Sequence, residues 1–94
     1  MEYDDQGNKI KERYLGVNGL PIQQSEGYSE KTIRYDSRGN PIEWKYLDTK
    51  GELTKNQKGY ARALAKYNKY NERVGIAYFS TTSNYIGGDG ELKR

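Results

Sequence analysis

Between Asn40 and Leu47 apolar and polar residues alternate, with Ile42, Trp44 and Tyr46 on one side of an extended chain and Glu43 and Lys45 on the other. Successive side chains of a β-strand point to opposite faces, so this is the pattern of a strand with one covered face. It occurs twice more, as Ile10, Glu12, Tyr14 and as Val74, Ile76, Tyr78. Lys31–Tyr35 also alternates, with Ile33 and Tyr35 on one side, and predicts a partner strand. Gly59–Tyr67 reads two ways. Ala61, Ala63, Leu64 and Ala65 favour a short helix near 60–66. Strand is favoured by Ala65 standing where Ile33 stands in the earlier segment.

These segments recur at a fixed spacing. Shifting the chain by 32 residues lays Tyr3, Asp4, Gly7, Asn8 and Ile10 on Tyr35, Asp36, Gly39, Asn40 and Ile42. Tyr14, Leu15, Gly19, Gly27 and Tyr28 fall on Tyr46, Leu47, Gly51, Gly59 and Tyr60, making ten identities without a gap. A third unit is degenerate: Tyr67, Val74, Tyr78 and Phe79 keep the apolar places, while Asn68, Asn71 and Ser83 replace Asp, Gly and Gly. The chain reads as one repeat domain, 1–94, with units 3–34, 35–66 and 67–94. The last unit is either a cap or the product of drift.

Each unit carries its own turn chemistry. In Tyr35-Asp36-Ser37-Arg38-Gly39-Asn40 the Asp36 carboxylate can accept bonds from backbone NH groups two or three residues on. Gly39 then supplies the left-handed residue that a three-residue hairpin loop requires. Asp4 and Gly7 repeat this arrangement. Asn71 replaces the glycine in the third unit, and Asn is the residue after Gly that best tolerates positive φ. A second turn is expected at Asp48–Gly51, matched by Gly16–Gly19 and Ser80–Ser83. Segments 20–26 and 52–58 read as loops. The expected fold is mainly β: tandem antiparallel β-hairpins forming a single extended or curled sheet. Met1 enters at the tail of a hairpin strand, so the first hairpin is half empty or the array continues upstream, and an open edge of this kind invites pairing.

Composition narrows the function. Hydrophobic residues make up 33% of the chain and mean hydropathy is −1.16, so a thin core is expected, helped by ten tyrosines. The net charge of +3 concentrates in the middle unit, where seven basic residues face four acidic ones. That is the bias of a solvated face more than a nucleic-acid footprint. No apolar run approaches a membrane span, so no membrane insertion is expected. The start lacks the basic and apolar regions of a signal peptide.

Candidate chemistry is sparse. Without His or Cys the familiar nucleophilic triads and thiolate metal sites are absent, and no cofactor is expected. Turn formation accounts for Asp4 and Asp36. Asp36 and Asp48 belong at opposite ends of one strand, which argues against a shared calcium. Gly87-Gly88-Asp89-Gly90 lacks the Lys-Ser/Thr of a phosphate loop and reads as a tight turn or frayed tail. The aromatics offer more. Tyr14, Trp44 and Tyr46 belong to the covered face, whereas Tyr28, Tyr60, Tyr70 and Tyr85 are candidates for stacking on a sugar.

The Tyr-Asp-x-x-Gly-Asn core at Tyr3–Asn8 and Tyr35–Asn40 resembles the YD repeats of bacterial Rhs-type proteins. It is similar also to such repeats in other bacterial surface and secreted proteins. The resemblance implies hairpin sheets that form shells or stalks, an extracellular or cell-surface setting, and no catalytic residues. The expected role is a non-catalytic structural or protein-interaction module, with a protein partner or self-association through sheet edges. The alternative is carbohydrate binding through exposed tyrosines.

Overall fold

The computed structural model describes residues 2–5, 7–23 and 27–93. Seven strands form one sheet: β1 (Glu2–Tyr3), β2 (Lys9–Arg13), β3 (Glu30–Tyr35), β4 (Pro41–Leu47), β5 (Arg62–Tyr67), β6 (Arg73–Phe79) and β7 (Tyr85–Gly90). Each strand pairs only with its neighbours in sequence, always antiparallel, and the sheet does not close. The molecule measures 45 × 32 × 18 Å, the proportions of a single layer.

The tightest turns have one construction. Asp36 NH donates to the Asn40 carbonyl (2.9 Å), Gly39 NH donates to the Asp36 carbonyl (3.1 Å), and Gly39 takes φ 86°. The Asp36 carboxylate accepts from the backbone NH groups of Arg38 and Asn40, both at 2.9 Å. Those bonds, led by that from Asn40, hold its pKa below the ordinary carboxylate value against the opposing effect of desolvation. Gly7 (φ 84°) and Asn71 (φ 65°) occupy the same place, and Gly19, Gly51 and Ser83 do so in the second set of turns. Where Asn68 stands for Asp36, its carboxamide oxygen accepts from Tyr70 and Glu72 NH. The chain slips by one residue just before each turn of the first set, between Glu2 and Tyr3, Arg34 and Tyr35, and Lys66 and Tyr67.

Two segments depart from expectation, and the ambiguous one is decided in favour of strand. The ambiguous stretch is strand β5, not a helix. Its residues are held on both sides, with Trp44 opposite Ala63 in β4 and Tyr78 opposite Ala63 in β6, and two ladders outweigh alanine's local preference. Segment 52–58 is not simply a loop. Leu53 bridges Leu47, and Asn56–Tyr60 forms a third turn of the same construction, with Gly59 at φ 96° and the Asn56 side chain accepting from Lys58 and Tyr60 NH. Gln24–Glu26, part of the other expected loop, lie outside the described residues.

Gly87–Gly90 belongs to strand β7 and not to a tight turn or frayed tail. It pairs with β6 through Tyr78–Gly87, Ala77–Gly88, Ile76–Asp89 and Gly75–Gly90. Glycine is needed here for clearance, because a Cβ at Gly88 would fall 2.5 Å from the Ile76 carbonyl oxygen. In the first two units the second turn returns only as far as the single bridges Leu15–Pro21 and Leu47–Leu53. In the third it opens into the full β6–β7 hairpin.

Alternation and register sort the side chains onto two faces. One face carries Ile42, Trp44, Tyr46, Ile33, Ala63, Ala65, Ile76 and Tyr78, as the sequence pattern indicates. The other carries Arg34, Glu43, Arg62, Leu64, Ala77 and Phe79. Ala61, Ala63, Ala65, Ala77, Tyr28, Tyr46, Ile76 and Phe79 are buried, so burial concentrates around the central and C-terminal strands.

Candidate binding surface on the tyrosine face

Five tyrosines contributed by successive crossings of the sheet stand in one row. Ring centroids are 5.9 Å apart for Tyr14–Tyr28, 4.8 Å for Tyr28–Tyr46, 5.7 Å for Tyr46–Tyr60 and 4.5 Å for Tyr60–Tyr78. The first three pairs meet edge to face and the last is tilted. The row forms because the strands deliver Tyr14, Tyr46 and Tyr78 at the same height, while the residue after each positive-φ glycine, Tyr28 or Tyr60, enters between them. Edge-to-face packing places the positive ring edge against the negative face, which favours this arrangement over parallel stacking.

The four aromatics singled out for sugar stacking do not share one surface. Tyr28 is only 3% exposed, lies between Tyr14 and Tyr46, and presents no open ring face. Tyr60 is half-buried in the same row. Tyr70 is 68% exposed at the tip of the Asn68–Asn71 turn, beneath the Lys69 ammonium at 5.2 Å. Tyr85 packs edge-on against Phe79, a residue of the opposite face, with centroids 6.1 Å apart. The turn residues Asp4, Gly7, Asp36, Gly39, Gly51 and Asn71 all lie at chain reversals and line no common cavity.

Two shallow grooves follow the tyrosine row. The first, about 260 Å³, is lined by Tyr28, Tyr46 and Tyr60 together with Lys31, Lys58 and the Asn56-Gln57 turn. The second, about 340 Å³, lies between Lys58, Tyr60, Tyr78, Ile86 and Gly87. Lys58 and Tyr60 belong to both. The turn fixes this geometry. The Asn56 side-chain oxygen is taken up by Lys58 and Tyr60 NH at 3.0 and 3.3 Å, which leaves its amide nitrogen as the outward donor. The Asn-x-x-Gly spacing at 56–59 is the sequence signal that would have found the turn, since it copies Asp36-x-x-Gly39. Nothing in the sequence placed Lys31 beside it.

Two carboxylates are held ionised elsewhere on the sheet. Glu43 is 7% exposed on the second face, with Arg34 Nε 3.1 Å from one oxygen and Arg62 Nε 2.7 Å from the other. Burial alone would raise its pKa, but the Arg62 hydrogen bond and charge, with Lys45 and Arg34, bring it below the ordinary value. Arg62 also lies over the Phe79 ring at 5.3 Å. Glu12, on the tyrosine face, accepts from the Tyr14 hydroxyl and from Lys9 Nζ at 3.1 Å. The Tyr14 bond outweighs burial and lowers its pKa too. A carboxyl kept ionised in this way is a poor general acid. Among the described residues no cluster of three or more His, Cys, Asp or Glu could hold a metal ion. No helix among them is long and apolar enough to cross a membrane.

No family model, curated protein or solved structure matches the chain. The surface itself is therefore the basis for a functional reading. It offers tyrosine rings, amide and ammonium donors in open grooves, and a sheet whose outermost described strands are β1 and β7.

Proposed function

We propose that the chain is a non-catalytic structural and protein-interaction repeat module that engages partners, including further copies of itself, through its sheet edges. The observation that carries this reading is the edge at β1 and β2. Among the described residues β1 pairs with β2 at Lys9 and Lys11, at one edge of the sheet. Beside this edge the first side hairpin exposes Leu15 (52%), Val17 (112%), Leu20 (61%) and Ile22 (45%). The second unit has Thr49, Glu52 and Thr54 where the first has Val17, Leu20 and Ile22, so the hairpin itself does not require apolar residues. An exposed apolar patch beside a sheet edge suits an added strand from a protein partner.

The opposite edge is equally bare. β7 presents Gly87, Gly88, Gly90 and one charge, Asp89, with none of the lysines or prolines that blunt an edge. The chain beyond it folds back over β6, where Glu91 NH donates to the Val74 carbonyl (2.9 Å) and Leu92 packs against Gly75. The resemblance to YD repeats supports the same reading, and with it a place in a larger bacterial surface or secreted protein.

Light scattering after size exclusion tests the proposal. The protein is expected to associate in a concentration-dependent way, and Leu20→Ser with Ile22→Ser, or Ile86→Lys, should weaken association without shifting the melt. A monomer at millimolar concentration whose edge amides exchange as freely as a coil would overturn the edge-pairing reading. Glycan binding is the second reading, favoured by the grooves along the tyrosine row.

A further inference from the structure

What the fold requires recurs every 32 residues. The positive-φ residues 7, 39 and 71 do so, as do 19, 51 and 83, and the ladder tyrosines at 14, 46 and 78 and at 28 and 60. Lys31 and Lys58 do not. Ala63 stands where Lys31 would recur, and Glu26 precedes Lys58 by the same interval. The equivalent place in β5 holds a buried methyl group opposite Trp44, so the hairpin as such accepts an uncharged residue there, and the Lys31 charge belongs to this unit alone. Yet both lysines line the first groove together with donors from Asn56 and Gln57.

We propose that this groove binds an acidic sugar residue of a glycan chain, its carboxylate held between Lys31 and Lys58. This goes beyond edge pairing and makes the glycan reading specific. Lysine has three donors and no acceptor, and two lysines lining one groove favour an anion. Lys31 stands opposite Glu12 across β2 and β3 and its charge helps to keep that carboxylate ionised, while the Glu12 oxygens accept hydrogen bonds from Tyr14 and from Lys9. The carboxamides and Tyr60 add hydrogen-bonding groups and an apolar ring that a bare anion would not use. The volume, about 260 Å³, is below the roughly 300–1,000 Å³ of sites for drug-sized ligands and suits a single ring. The neighbouring groove, sharing Lys58 and Tyr60, gives the next sugar a path along the row. Its floor is open at Gly87, where a Cβ would meet nothing within 4 Å.

Calorimetric titration of the whole chain with galacturonic acid trimer tests the site, with cellotriose and a glutamate trimer as comparisons. The acidic sugar should bind saturably and more weakly as salt rises, and cellotriose should not bind. Lys31→Gln with Lys58→Gln should weaken binding by at least about tenfold, roughly 1.4 kcal/mol. Lys50→Gln, outside the groove, should leave it unchanged. If the double variant fails to melt cooperatively, Lys58→Gln alone, on an exposed turn, carries the comparison. Absence of binding at millimolar ligand, equal binding of cellotriose, equal binding of the glutamate trimer, or indifference to the lysine substitutions would each overturn the proposal.

Discussion

Glu43 shows how a single position can run against its hydropathy. Sequence alternation puts it on the face opposite Trp44 and Tyr46, the side expected to be polar and solvated, yet it is 7% exposed. Its cross-strand neighbour Arg34 and Arg62 from β5 close over it and bond both oxygens. Because the folded pKa lies below the ordinary value of 4.5, the stabilisation is fully present above that value and is lost as pH falls through the folded pKa. Glu43→Gln should cost about 1.5–3 kcal/mol at neutral pH, the range for hydrogen bonds to charged groups. Thermal melts of both proteins from pH 7 downwards should show the gap narrowing once the wild-type carboxyl protonates. A gap that is constant with pH would mean that packing, not charge, accounts for the cost.

Among the elements, β5 and the tyrosine row are the informative cases. β5 is built from residues that prefer a helix when alone, and it is a strand because β4 and β6 both pair with it. Its alanines are also what the packing needs, since Ala63 is 2% exposed between Trp44 and Tyr78. The row across the strands should behave as a coupled unit. A double-mutant cycle on Tyr46→Leu and Tyr60→Leu, read by denaturant unfolding, should give a coupling of about 0.5–1.5 kcal/mol for the edge-to-face pair. The same cycle on Tyr46 and Tyr70 should give none, because Tyr70 stands at a turn tip outside the row. The turns were legible because their chemistry is local. Asp36, Gly39 and even the Asn71 substitution declare a reversal within five residues of chain.

At the scale of the whole molecule, burial is uneven and so should stability be. Most buried side chains sit on β4, β5 and β6, whereas β1 has two residues and β7 is half glycine. Amide hydrogen exchange should protect β4–β6 longest and release β1 first, with β7 between them. Uniform protection across all seven strands would mean that the sheet opens only as one unit. A partner seated on either edge should raise protection there before anywhere else, which makes the same measurement a locator for the interaction surface.

The sequence by itself determined the alternating strands, the turns of positive φ and their 32-residue spacing, because each depends on residues close together in the chain. It therefore determined the class of fold, a sheet of hairpins. The tertiary structure decided what depends on residues brought together from different strands. Pairing on both sides made β5 a strand, and glycine clearance against β6 made β7 one. Lateral register assembled the tyrosine row and folded two arginines over Glu43, and the fold brought Lys31 and Lys58 to one groove. Those lysines stand 27 residues apart in the chain, and no local pattern records which side chains the fold will bring together.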